Sequence, residues 1–251
     1  MTGKDFSLIY YINFGVPSIS ASQDMMRFYA KCGAKNLQLD LPSREPDPAL
    51  ENDFIMGRMR RALELCGDMR QYLDAIAQVK REFPDLSIEM TVYEDAVADA
   101  GTPAFIRFCA QAGVTRVSWL SRREHPDAAL LQSLRDTGIQ ILHPILYHLP
   151  QDKIDDAVAR REPVVLMLEG GRGEPARPGC ERLDGALRFL REQGVREPIC
   201  VTMGIRSPAR VVEVKRQGAN GAYVGSRLIK AWDDPPELER LIRAFERARL
   251  R

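Results

Sequence analysis

The feature that most constrains this chain is an alternation. Short apolar, β-rich runs recur near residues 8–12, 36–41, 87–92, 116–120, 140–146, 164–168, 199–203 and 221–224. The stretches between them are amphipathic, and their ends carry the punctuation that helix termini require. Ser20 and Gln23 form a capping box for a helix closed by Gly33, Thr102-Pro103 opens one closed by Gly113, and Ser207-Pro208 opens one closed by Gly218. A further helix runs from Asp68 to Phe83 and stops at Pro84. Strand, capped helix, glycine, strand is a βα unit. Eight units in one undivided chain predict a single α/β domain over residues 1–251, a (β/α)8 or TIM barrel. An open doubly wound sheet more often carries G-x-G-x-x-G after its first strand, and Gly15-Val16-Pro17 is not that.

Composition narrows the function classes. At 251 residues the chain can bury one full core. Its net charge of +1 provides no global field to gather nucleic acid or an anionic membrane surface, so neither is an expected partner. No apolar run approaches the roughly 20 residues of a membrane span, and residues 1–7 lack the apolar core of a signal peptide. A cytoplasmic location is expected. The 5 cysteines include no C-x-x-C pair and the 3 histidines are scattered, so the sequence carries no metal signal and no cofactor is expected.

In such a barrel, chemistry belongs to the C-terminal strand ends and the loops after them. That rule selects Tyr11 and Asn13; Gln38, Asp40 and the loop 42–53; Tyr93, Glu94 and Asp95; Ser121; His143 and His148; the run Glu169 to Gly173; Gly204; and Gly225-Ser226. The last two strand ends finish in glycine, with a short helical stretch after Ser226. Small residues there let backbone N–H groups approach an anion, so Gly204, Gly225 and Ser226 form a candidate phosphate cradle. Gly171, in the glycine-rich run after strand six, supplies further donors or part of a mobile lid. Each glycine taken alone also reads as an ordinary turn residue.

Several segments together resemble a known family, the tryptophan synthase alpha subunit (indole-3-glycerol-phosphate lyase). They are Tyr10-Tyr11-Ile12-Asn13-Phe14-Gly15-Val16-Pro17-Ser18, Leu37-Gln38-Leu39-Asp40-Leu41-Pro42, Met90-Thr91-Val92-Tyr93, Gly204-Ile205-Arg206-Ser207-Pro208 and the run from Gly218 to Ser226, matching in order and spacing. The resemblance implies a (β/α)8 barrel that cleaves a carbon–carbon bond in the retro-aldol sense, releasing indole and glyceraldehyde 3-phosphate. It also implies an acid/base carboxylate on strand two and an aspartate in the following loop that polarises the indole N–H.

Gln38 stands at the strand-two carboxylate position, and an amide cannot exchange a proton near neutral pH. Asp40, two residues on and therefore on the same strand face, is the candidate replacement; the alternative is a solvated or salt-bridged strand-end residue. Glu51, near Asp53, falls at the loop-aspartate position. Glu169 adds a second acid/base candidate at the mouth, or else pairs with Arg172 or Arg44. Tyr11 and Tyr93 flank the pocket, Tyr11 either donating to a substrate oxygen or packing as a half-buried core tyrosine. The expectation is a lyase or isomerase acting on a phosphorylated small molecule, by chemistry other than standard indole-3-glycerol-phosphate cleavage. The alternative is an inactive partner of a beta-subunit-like protein.

Overall fold

A computed structural model describes residues 6–47, 53–120, 127–168, 175–202 and 204–251. Eight parallel strands close a barrel in sequence order, β1 to β8, as the alternation predicts. The chain falls into two compact units, residues 11–141 and residues 1–10 with 142–251; each is described by itself.

The first unit begins within β1 (Ser7–Asn13) and continues through α1 (Ile19–Lys31), β2 (Asn36–Asp40), α2 (Asp53–Leu65), α3 (Met69–Glu82), β3 (Ser87–Tyr93), α4 (Glu94–Ala100), α5 (Thr102–Ala112), β4 (Arg116–Leu120) and α6 (Ala128–Asp136). Register runs from Asn36 opposite Ser87 to Asp40 opposite Thr91, and from Glu89 opposite Arg116 to Tyr93 opposite Leu120. Asp68 caps α3 as expected, its side chain accepting from the Arg70 N–H. The Ser20–Gln23 box is corrected. Ser18 caps α1 through the Ala21 N–H, two residues earlier, while the Gln23 amide donates across to the Ala75 carbonyl on α3. A long-range backbone acceptor outcompetes the local one.

The turn after β1 is held at Gly15, whose φ of +105° few other residues adopt. A β-carbon there would lie 2.6 Å from the Tyr72 ring and 2.9 Å from Ala62 Cβ. This close approach lets α2 and α3 pack beneath the end of β1.

The second unit contains β5 (Gln140–Leu146), α7 (Gln151–Arg160), β6 (Val164–Met167), α8 (Leu183–Glu192), β7 (Ile199–Thr202), α9 (Pro208–Arg216), β8 (Gly221–Val224), α10 (Ser226–Ile229) and α11 (Pro235–Arg249). Ile9, Leu142, Val165, Cys200 and Tyr223, contributed by five different strands, form one buried cluster. Alternate residues of each strand therefore point inward, and Tyr11 and Asn13 share the inward face of β1 with Ile9. Gly221 opens β8 where a β-carbon would lie 2.7 Å from the Ser7 carbonyl and 2.8 Å from Cys200 Sγ. Ser207 caps α9, with Pro208 at its first position, as its sequence signature predicts. Among the described residues, no helix is long and apolar enough to cross a membrane.

Candidate active site

Asp40 ends β2, and it is completely buried. It is closed to solvent and, among the described residues, in no salt bridge, which speaks against the solvated or salt-bridged alternative. Its Oδ2 accepts a hydrogen bond from the Tyr11 hydroxyl at 2.5 Å and one from the Asn13 amide at 3.2 Å. Its Oδ1 has no hydrogen-bond partner among the described residues. Burial pushes the carboxyl up to about 7, against the opposing pull of the two donors. The acid is therefore balanced between its two forms near neutral pH, the condition that suits a group which must both take and return a proton. Its backbone also contributes, the Asp40 carbonyl accepting from the Phe14 N–H so that the ends of β1 and β2 are tied together.

Gln38 lies on the same face as Asp40, about 6.6 Å deeper along the strand. Its amide donates to Glu89 Oε1 at 3.2 Å, and Glu89 Oε2 lies 3.6 Å from an Arg116 guanidinium nitrogen. Gln38 and Glu89 are both buried. The amide is thus committed to a polar layer that crosses β2, β3 and β4 below Asp40. Sequence reading missed Glu89, although the alternation Glu89, Thr91, Tyr93 on β3 puts it on the inward face.

Tyr93 is buried, and its hydroxyl accepts the Asp47 N–H at 3.2 Å. Asp95, in the first turn of α4, accepts from the Ser43 hydroxyl at 2.7 Å and from the Arg44 N–H at 2.8 Å. The Arg44 guanidinium pairs with Asp99. The segment after β2 is accordingly fastened to β3 and α4 up to Asp47, which places Tyr93 beside the loop rather than open to it. Arg58, also missed, donates from Nε to Asn13 Oδ1 and from Nη2 to the Val16 carbonyl, both at 3.1 Å. It falls within the spacing Ile55, Arg58, Met59, Ala62, whose apolar members are the buried stripe of α2. That position was its signal, masked by the neighbouring Arg60 and Arg61.

In the second unit, Gly204 follows β7 with φ +70°, while Gly225 follows β8 and leads directly into α10 at Ser226. Both predicted cradle segments therefore sit at C-terminal ends of adjacent strands. His143 points outward instead: its Nε2 lies 2.6 Å from Glu162 Oε2, just after α7, and its Nδ1 lies 3.7 Å from Asp156 Oδ2 on α7. Glu51, Glu169, Gly171, Ser121 and Met203 lie outside the described residues. No group of three or more His, Cys, Asp or Glu suited to a metal ion occurs among the described residues.

A family model for the tryptophan synthase alpha chain matches residues 2–248. The chain belongs to that family. Tryptophan synthase alpha chains from Edwardsiella ictaluri and Shewanella amazonensis are 24% and 26% identical to it. The first alignment covers 96% of this chain and 91% of its relative, the second 98% and 93%. A solved tryptophan synthase complex from Pyrococcus furiosus contains a chain of the same fold, with a TM-score of 0.79 at 20% identity, covering 97% of this chain and 98% of that one. Within the alpha-chain family, then, this member places a buried Asp40 at the end of β2 and ties Gln38 into the layer below it.

Proposed function

We propose that the protein is a carbon–carbon lyase acting on a phosphorylated small molecule in the retro-aldol sense, with Asp40 as its acid/base group. The observation that carries the reading is the Asp40 carboxyl, buried, held on one oxygen by Tyr11 and Asn13, and without a hydrogen-bond partner among the described residues on the other. In such a cleavage the hydroxyl on the departing carbon loses its proton and becomes a carbonyl. The electrons of the broken bond return to the other carbon, which takes up a proton. No net proton is gained or lost, so a single carboxyl that titrates near 7 can serve both transfers. Membership of the alpha-chain family supports the reaction class, and Gly204, Gly225 and Ser226, at strand ends, support phosphate binding by backbone N–H groups. Tyr93, Glu51 and Glu169 remain secondary acid/base candidates, and Gly171 a further phosphate donor.

Gln38 supports a substrate or reaction other than standard indole-3-glycerol-phosphate cleavage, because its amide cannot carry the proton and is engaged by Glu89. The same residue favours a second reading, an inactive partner of a beta-subunit-like protein; a chain of like fold occurs in the Pyrococcus furiosus tryptophan synthase complex.

The test is release of a phosphorylated aldehyde from indole-3-glycerol phosphate and from related phosphorylated β-hydroxy compounds. Turnover that falls at least 100-fold in Asp40→Asn but persists in Gln38→Leu supports the lyase. Turnover of the parent compound that survives Asp40→Asn reassigns the acid/base role. Absence of binding by every phosphorylated probe, together with capture of a beta subunit, establishes the partner reading.

A further inference from the structure

Asn13 is fully buried, and its amide has two ends with opposite chemistry. One end meets the Arg58 guanidinium at 3.1 Å and the other meets Asp40 Oδ2 at 3.2 Å. A guanidinium has only donors, so the end facing Arg58 must be the oxygen, which turns the N–H end onto Asp40. We infer that Arg58 is a positioning residue: acting through Asn13, it fixes which oxygen of Asp40 carries the exchangeable proton and how readily the carboxyl ionises.

The two oxygens of Asp40 differ in their partners. Oδ2 already receives the Tyr11 hydroxyl and the Asn13 N–H, two donors that favour negative charge there and leave no reason for a third hydrogen. The proton therefore resides on Oδ1, the oxygen without a partner among the described residues. Were the amide released by Arg58, it could rotate and present its oxygen to Oδ2. One donor would become a repulsive acceptor, and the carboxyl would hold its proton to higher pH. Arg58 is itself anchored by the Val16 carbonyl at 3.1 Å, so the orientation is set from α2 and the turn after β1 together. The titratable or charged groups on this side of the packed elements are Tyr11 on β1, Arg58 on α2, and Glu89 and Tyr93 on β3; Glu89 is engaged with Gln38 and Arg116, the Tyr10 hydroxyl donates to Glu246, and Asp53, Arg60, Arg61 and Glu64 of α2 are exposed. Among the described residues, only Arg58 bears on Asp40 through an amide that can reverse. The inference rests on Asp40 as the acid/base group for its functional meaning, but its geometry does not depend on turnover.

The experiment is a direct titration of the Asp40 carboxyl in the folded protein, by carbon-13 chemical shift of labelled aspartate with Asp40→Asn to assign the signal. Arg58→Met is expected to raise the midpoint by about one pH unit, and Asn13→Leu to raise it similarly. The double variant separates mechanism from simple loss of charge: Arg58→Met made in the Asn13→Leu background should shift the midpoint no further. An unchanged midpoint in Arg58→Met overturns the inference, and so does a shift that persists in full when Asn13 is absent. If Arg58→Met does not fold, Arg58→Leu, which likewise removes every donor to Asn13, is read by the same criteria. Failure of the lyase reading shows instead as turnover that survives Asp40→Asn, whatever the titration gives.

Discussion

At the scale of single residues, proton chemistry and stability oppose one another at Asp40. In the unfolded chain its carboxyl ionises near 3.8, while in the fold it keeps its proton to about 7. Between those values the folded state binds one more proton than the unfolded state, so stability falls as pH rises from about 4 to 7 and then levels off. Asp40→Asn is therefore expected to stabilise the protein at pH 8 by on the order of 2 to 4 kcal/mol more than at pH 4, measured by urea unfolding at the two pH values. Equal effects at both pH values contradict the buried neutral acid. Tyr11→Phe removes the shorter of the two bonds to Oδ2. The pH at which turnover rises should move upward by about one unit, with a loss of turnover on the order of 10-fold, read from a rate profile between pH 5 and 9. Asp40 itself was legible as a candidate from its place at a strand end and from sharing a strand face with Gln38. Its donors were legible only as strand-end residues, because Tyr11 and Asn13 lie far from it in sequence and their pairing depends on β1 lying beside β2.

At the scale of elements, helix punctuation was readable where the cap is local. Asp68, Ser207-Pro208 and Gly113 mark the ends of α3, α9 and α5 as their side chains and φ values require. Ser20 and Gln23 misled because Gln23 reaches the Ala75 carbonyl on another helix, and no spacing rule contains that acceptor. Close approach was equally silent in sequence. Gly15 and Gly221 look like ordinary turn and strand glycines until the neighbours of their missing β-carbons are known. Gly15→Ala combines a forbidden φ with a contact at 2.6 Å and should destabilise the protein by about 2 to 3 kcal/mol. Gly221→Ala, with normal φ but 2.7 Å from a backbone oxygen, should cost about 1 to 3 kcal/mol, both read as shifts in the denaturant midpoint at constant slope. A second element-level lock is Arg191 at the end of α8. It donates to the Val195 and Glu197 carbonyls and to the Asn220 side chain, whose oxygen also accepts the Ile199 N–H that starts β7. Arg191→Met strands those partly buried acceptors and should cost about 2 kcal/mol in the same measurement.

At the scale of the whole molecule, the order of strands follows from the regular alternation of βα units, and the closed barrel confirms that reading. What the alternation could not supply is the division of the strands' inward faces. Ile9, Leu142, Val165, Cys200 and Tyr223 make an apolar cluster, whereas Gln38 and Glu89 make a polar layer beneath Asp40. On the proposed reading, β2 carries its acid at Asp40, two residues nearer the C-terminal end than Gln38, whose amide the layer below engages. The most direct measurement is the carbon-13 titration of Asp40 in the folded, unliganded protein. A midpoint near 7 is the predicted result. A midpoint near 4, that of a solvated aspartate, would contradict the assignment of Asp40 as the group that takes and returns the proton.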